Sequence, residues 1–196
     1  MNNVMSNPKS TAAIAGHPIH PMLIPFPVAC FVLAFVSDLG FWKSGDPFWA
    51  TASLWLLGVG LIGAALAAVA GLIDLFGDDR IRNLNDAWLH AGGNIVAVLI
   101  QLYNWYSRYA HGSDAVIPTG LILSLVVVLG LLFTGWKGWE MVYRHRVAVY
   151  DEPAMASYGA VHKDDEIWNL VAFVQRLPKM TPEQYGQMER ASADTR

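Results

Sequence analysis

The sequence predicts an all-α integral membrane protein, a four-helix transmembrane bundle followed by a short C-terminal helical tail. Three observations lead there. Of 196 residues, 54% are hydrophobic and only 15% charged, where a soluble domain would carry about 25% charge. Four apolar segments reach the roughly 20 residues needed to cross a bilayer. Tryptophans gather at the segment ends (Trp42, Trp49, Trp88, Trp105, Trp136, Trp139), as interfacial anchors do. The net charge of −3 gives no footprint for nucleic acid. The single cysteine, Cys30, excludes an internal disulfide, a CxxCH haem attachment and a thiolate cluster.

Residues 1–15 read as a disordered N-terminal tail, 16–146 as the bundle, and 147–196 as an extramembrane tail. The bundle opens on Gly16-His17-Pro18-Ile19-His20-Pro21, where each histidine precedes a proline. A residue before proline is pushed away from helical geometry, so an extended, rigid approach is expected up to Phe26, with Pro27 in the first helical turn. The first span runs from about Met22 to Trp42, the second from Pro47 to Phe76, the third from Asp86 to Tyr109 and the fourth from Pro118 to Trp139. The links between them are short and polar, which forces antiparallel neighbours and an up-down bundle.

The second span repeats small residues every fourth position, Gly60-Ala64-Ala68 and Gly63-Ala67-Gly71. Such ridges let helices approach closely in lipid. Their first use is packing inside the bundle; a homo-oligomer face or room for a flat cofactor are the alternatives. On the third span His90, Asn94, Gln101 and Arg108 share one helix face. A polar stripe on a membrane helix must face the bundle interior, a cavity or a cofactor.

Alternating topology then sorts the ionisable residues. One end of the bundle receives His17, His20, Asp74, His90, Glu140 and His145, and the other only Asp38 and His111 with little beside them. The histidine end also carries Lys9, Arg80, Arg82, Lys137, Arg144 and Arg146, which by the positive-inside bias would face the cytoplasm. Beyond Arg146, residues 147–161 read as a loop. Lys163 to Arg176 follows as an amphipathic helix with Ile167, Trp168, Val171 and Val174 on one face. Leu177-Pro178 ends it, and Thr181-Pro182 caps a second short helix before the last residues, Ala191 to Arg196, fray.

The HPxHP opening at His17–Pro21, with Phe26-Pro27, Asp38, Asp74, His90 and Tyr143-x-His145, resembles a family of bacterial four-helix membrane proteins known as domain of unknown function 2231. The resemblance covers about Gly16 to Val149. It implies an electron-transfer or anchor module of the bacterial inner (cytoplasmic) membrane, multi-pass, of the kind that accompanies sugar dehydrogenases using pyrroloquinoline quinone. The stretch from Asp164 to Val174, with Leu177-Pro178-Lys179-Met180-Thr181, resembles the last helix of a c-type cytochrome. Without CxxCH it implies docking, not covalent haem, and a periplasmic setting that opposes the positive-inside count.

Three functions of different kinds fit these residues. The first is a membrane electron-transfer subunit holding non-covalent haem b, since neutral imidazoles are natural axial ligands in a bundle core. His90 and His20 are then the candidate ligands to the iron, with His17 and His145 as substitutes and Asn94 beside the cofactor. A redox subunit, a dehydrogenase or a c-type cytochrome, would dock on the C-terminal tail. The second is a non-haem metal or proton site of His17, His20, Asp74, His90 and Glu140. The third is a structural anchor or assembly subunit without cofactor. A nucleophilic hydrolase is disfavoured, because no GxSxG elbow is present and Cys30 lies in an apolar run.

Overall fold

The computed structural model describes residues 7–149, 163–176, 180–184 and 186–187. The chain divides into two units, Met1–Tyr150 and Asp151–Arg196. In the first, a two-residue hairpin (β1, Ala13–Ile14; β2, His17–Pro18) leads into α1 (Ile19–Leu23) and α2 (Pro25–Ser44). Then come α3 (Pro47–Gly77), the single turn α4 (Asp79–Arg82), α5 (Asn85–His111) and α6 (Leu121–Tyr143). α2, α3, α5 and α6 are the long helices, and the three helical stretches that hold them, Ile19–Ser44, Pro47–Gly77 and Asn85–Tyr143, are long and apolar enough to cross a membrane. Between α5 and α6 the chain folds back through Gly112–Ala115 and Val116–Gly120, where Ile117 leaves helical geometry (φ −120°, ψ 130°).

The helix ends follow local chemistry. Asp46 accepts from Phe48 N at 2.9 Å and Pro47 fills the first turn of α3. Gly45, in the left-handed region, ends α2. Asp78 caps α4 by accepting from Arg80 N, and the Arg80 guanidinium beside it holds the Asp78 carboxyl down to about 2. Large apolar side chains such as Trp55, Ile62, Leu129 and Leu132 point outward, as lipid-facing residues of a bundle must. The interior between the long helices is a small apolar layer of Phe31, Ala34, Leu57, Ala64, Ala97 and Val127. Most small residues of the α3 ridges pack inside the bundle, where Gly60 meets Phe31, Gly63 meets Pro27 and Gly71 meets His20, while Ala68 is exposed.

Three expectations are corrected. The approach to the first span is not extended up to Phe26, because His20 lies in α1 and α2 already begins at Pro25. Pro21 and Pro25 both occupy first helical turns, where the missing N–H is not needed, so the prolines shape two helix starts. Residues 7–15 do not form a free tail. Ala12 is buried, and residues 10–12 are hydrogen-bonded to Asp74 on α3. The bundle also extends past residue 146, since Val147 N donates to Met141 O, Ala148 N to Pro8 O, and Asn7 Nδ2 to Val149 O. The rest of the expected 147–161 loop, the Leu177-Pro178 stop and the fraying end lie outside the described residues.

In the second unit α7 (Asp164–Arg176) lies within the predicted amphipathic helix. Thr181 caps the next helical stretch as expected. Its hydroxyl accepts from Gln184 N at 3.4 Å while Gln184 Oε1 accepts from Thr181 N at 3.0 Å, a reciprocal capping box.

Candidate functional site

Of the four histidines nominated as ligands, the fold brings two together. His20 stands on α1 against α3, and His90 on α5 against α6. Their ring centres are 6.0 Å apart and the rings are near perpendicular, at 87°. His20 Nδ1 donates to Ala67 O at 2.7 Å, and His90 Nδ1 donates to Thr134 O at 2.8 Å. A neutral imidazole that donates through Nδ1 carries its lone pair on Nε2. Both rings therefore hold the same tautomer, with Nε2 as the acceptor nitrogen. Asn94 agrees with this: its amide lies 3.3 Å from His90 Nε2 and donates to His90 O at 2.8 Å, while its carbonyl oxygen accepts from Thr134 Oγ1 at 3.1 Å.

The neighbouring helices make room for the rings. A Cβ at Gly71 would stand 2.8 Å from His20 Cε1, and one at Gly138 would stand 3.1 Å from His90 Cε1. Any side chain at Gly71 would displace the ring, so glycine there is a requirement of the imidazole.

The other nominated residues have different partners. His17 is exposed on β2 and its Nδ1 faces Ala15 O at 3.0 Å. His145 Nε2 pairs with Asp86 Oδ2 at 2.9 Å, one helical turn outward from His90. The same cluster holds Lys137, 3.0 Å from Asp86 and 2.7 Å from Glu140. Glu140 and Asp74 are thus engaged away from the imidazoles. Among the described residues no three His, Cys, Asp or Glu side chains converge as a metal site. The five-residue non-haem grouping does not assemble among them.

The opposite end of the bundle is richer than the sequence suggested. Asp38 (0% exposed) and Arg108 (2% exposed) form a fork-to-fork ion pair, with Nη1 to Oδ1 at 2.5 Å and Nη2 to Oδ2 at 2.8 Å. Ser53 Oγ donates to Asp38 Oδ1 at 2.6 Å and accepts from Arg108 Nη1. Ser124 Oγ donates to Asp38 Oδ2 at 2.7 Å. Asn104 accepts from Arg108 Nε at 3.0 Å and donates to Gln101 Oε1 at 3.0 Å. One residue or more from each long helix enters this knot. A Cβ at Gly120 would fall 2.8 Å from Arg108 Nη2, so glycine opens the start of α6 to the guanidinium. The sequence carried a signal for it. An acid inside an apolar span needs a partner, and Arg108 stood on the polar stripe at the same end.

The two ends therefore differ in kind. In the arginine knot every oxygen of Asp38 and every nitrogen of Arg108 has a hydrogen-bond partner, which describes a structural clamp. At the histidine end His90 Nε2 stands beside the Asn94 amide and His20 Nε2 beside Gly71.

A search of the curated proteins and one of the solved structures return no match. A family model described as "Predicted membrane protein (DUF2231)" matches residues 16–151. That range takes in both histidines, the arginine knot and all four long helices, and the chain belongs to this family of membrane proteins.

Proposed function

We propose that the protein is a membrane electron-transfer subunit of the bacterial inner membrane. In this reading a non-covalent b-type haem is held between His20 and His90. The observation that carries it is the matched pair of imidazoles, each tied through Nδ1 to a main-chain carbonyl, with ring centres 6.0 Å apart. Two imidazoles sharing one metal at bonds of about 2 Å each would have ring centres about 6 Å apart. A carbonyl at Nδ1 fixes the tautomer and raises the basicity of Nε2, which is the usual outer support of a metal-bound histidine. The donor set is neutral and needs no carboxylate, as suits haem iron. When bound, the group would supply one-electron chemistry; the chain supplies ring orientation through Ala67 O and Thr134 O.

The test is spectroscopic. Protein purified in mild detergent, reconstituted with haem if necessary, is expected to show a Soret band and sharp reduced α-bands. His111→Ala, whose ring sits on Ser107 O at the other end, is expected to leave haem content unchanged. Absence of any such spectrum would favour a second reading, a cofactor-free anchor. That reading has its own support, since the same hydrogen bonds staple α1 to α3 and α5 to α6.

The tail is assigned to partner docking. On α7, Trp168, Val171 and Val174 are exposed along one side, with Ile167 half-buried beside them. The face is too short to span a bilayer. Asp165 and Glu166 lead the helix, where a membrane-surface helix would be rich in Lys and Arg. A redox subunit, a dehydrogenase or a c-type cytochrome, is the occupant this reading supplies. Truncation after Tyr150 is expected to leave the four long helices folded and haem intact while a copurified redox subunit is lost. Loss of haem or of folding on truncation would make the tail a structural lid instead.

A further inference from the structure

We infer that Asp74 is the positioning residue for His20, acting through the strap of residues 10–12 and the hairpin that follows it. Asp74 lies in the last turn of α3, where the helix dipole disfavours a carboxylate. What compensates is a concentration of donors on one oxygen. Asp74 Oδ1 accepts from Ser10 Oγ at 2.8 Å, Thr11 N at 2.7 Å and Ala12 N at 2.7 Å. Thr11 Oγ1 adds a bond to Ile73 O at 2.9 Å, so the strap is fastened to the end of α3 by both main chain and side chain.

From this anchor the path to His20 is short and stiff. Ala12 O accepts from Ile19 N at 2.8 Å, which closes the base of the hairpin. Ala13 pairs with Pro18 and Ile14 with His17. The two turn residues between them, Ala15 (φ 50°) and Gly16 (φ 82°), are both left-handed, as the tightest hairpin turn requires. Ile19 opens α1 and His20 is the next residue. Its ring then reaches back to the same helix, with Nδ1 on Ala67 O and Cε1 over Gly71.

Ala67, Gly71 and Asp74 are spaced four and three residues apart, which sets them on one face of α3. That face does three jobs in line. Ala67 orients the imidazole, Gly71 leaves it space and Asp74 fixes the segment that delivers it. α1 runs on into α2 through Ile24, which keeps helical geometry and donates its N–H to His20 O at 3.2 Å. His20 is thus held from its C-terminal side by the long helix and from its N-terminal side by the strap.

The spectroscopic part of this inference rests on the haem reading, but the positioning itself does not. In the full-length protein without haem, modification of each histidine by diethyl pyrocarbonate, mapped by mass spectrometry, reports ring access. Asp74→Ala is expected to speed modification of His20 about tenfold or more, as local opening would, with His90 unchanged. Asp74→Asn keeps an acceptor oxygen and is expected to stay near wild type. Thr11→Pro removes one N–H donor with the carboxylate in place and is expected to follow Asp74→Ala. It also decides the matter, with Asp74→Asn, should Asp74→Ala fail to fold.

In haem-loaded protein the same Asp74→Ala change is expected to convert six-coordinate low-spin iron to a five-coordinate high-spin form still held by His90. An unchanged His20 rate in both Asp74→Ala and Thr11→Pro would overturn the inference. So would equal acceleration of His20 and His90, which reports general loosening. A wild-type protein that takes up no haem removes the haem reading and leaves the modification experiment to decide the role of Asp74.

Discussion

Arg108→Ala should destabilise the bundle by about 3–5 kcal/mol, the usual result of stranding one partner of a buried ion pair. The reason is what the change leaves behind. Asp38 would keep only Ser53 and Ser124 as donors, with its carboxylate fully enclosed among four helices. Asn104 and Gln101 would lose the guanidinium that organises them, and the Gln101 amide nitrogen already lacks a hydrogen-bond partner among the described residues. Arg108→Lys should fall between the two, since an ammonium cannot match both carboxylate oxygens as a planar fork does. Replacing both charges by apolar residues of similar volume should recover much of the loss, because it removes the desolvation of two ions together with their attraction. Thermal unfolding in detergent, followed by tryptophan fluorescence, measures all three. An unchanged midpoint for Arg108→Ala would show that the pair does not clamp the bundle.

His90→Ala should empty the site of haem, with haem per protein falling about tenfold or more given what loss of even a supporting contact costs a metal site. His20 alone would hold the iron weakly, and a void would open beside Gly138 and Thr134, which now enclose the ring. The void is also what makes the result interpretable. Added imidazole should enter it and restore the spectrum, which a merely misfolded protein could not do. A purified His90→Ala protein with an unaltered Soret and α-band would end the assignment of His90 as ligand.

The long helices could be read from the sequence because each signal is local. Asp46-Pro47 starts a helix by itself, Gly45 stops one, and an apolar run of sufficient length has few alternatives in lipid. The polar stripe on α5 was readable for the same reason, as four residues on one face of one helix. What could not be read is pairing between helices. Asp38 and Arg108 are 70 residues apart, and only the antiparallel topology puts them at one depth. Topology assigns Asp38 to the end where the polar stripe finishes in Arg108, but nothing local to either residue marks the other as its partner. The strap failed as an expectation for a related reason. Nothing in Lys9-Ser10-Thr11-Ala12 marks it as ordered until Asp74, 62 residues beyond Ala12, supplies the acceptor. His145 was placed at the correct end, but its depth depended on how α6 finishes, and α6 ends at Tyr143, with His145 carried to Asp86 by the turn after it.

The apolar layer of Phe31, Ala34, Leu57, Ala64, Ala97 and Val127 separates the two polar ends. On α5, Asn94 belongs to one end and Gln101 to the other, and buried Ala97 lies between them. Seven residues of helix correspond to about 10 Å, too far for one hydrogen bond to bridge. Among the described residues no side-chain relay crosses that gap. The bundle interior is thus a short apolar slab with a polar cluster on either side, so the two clusters act as separate chemical layers.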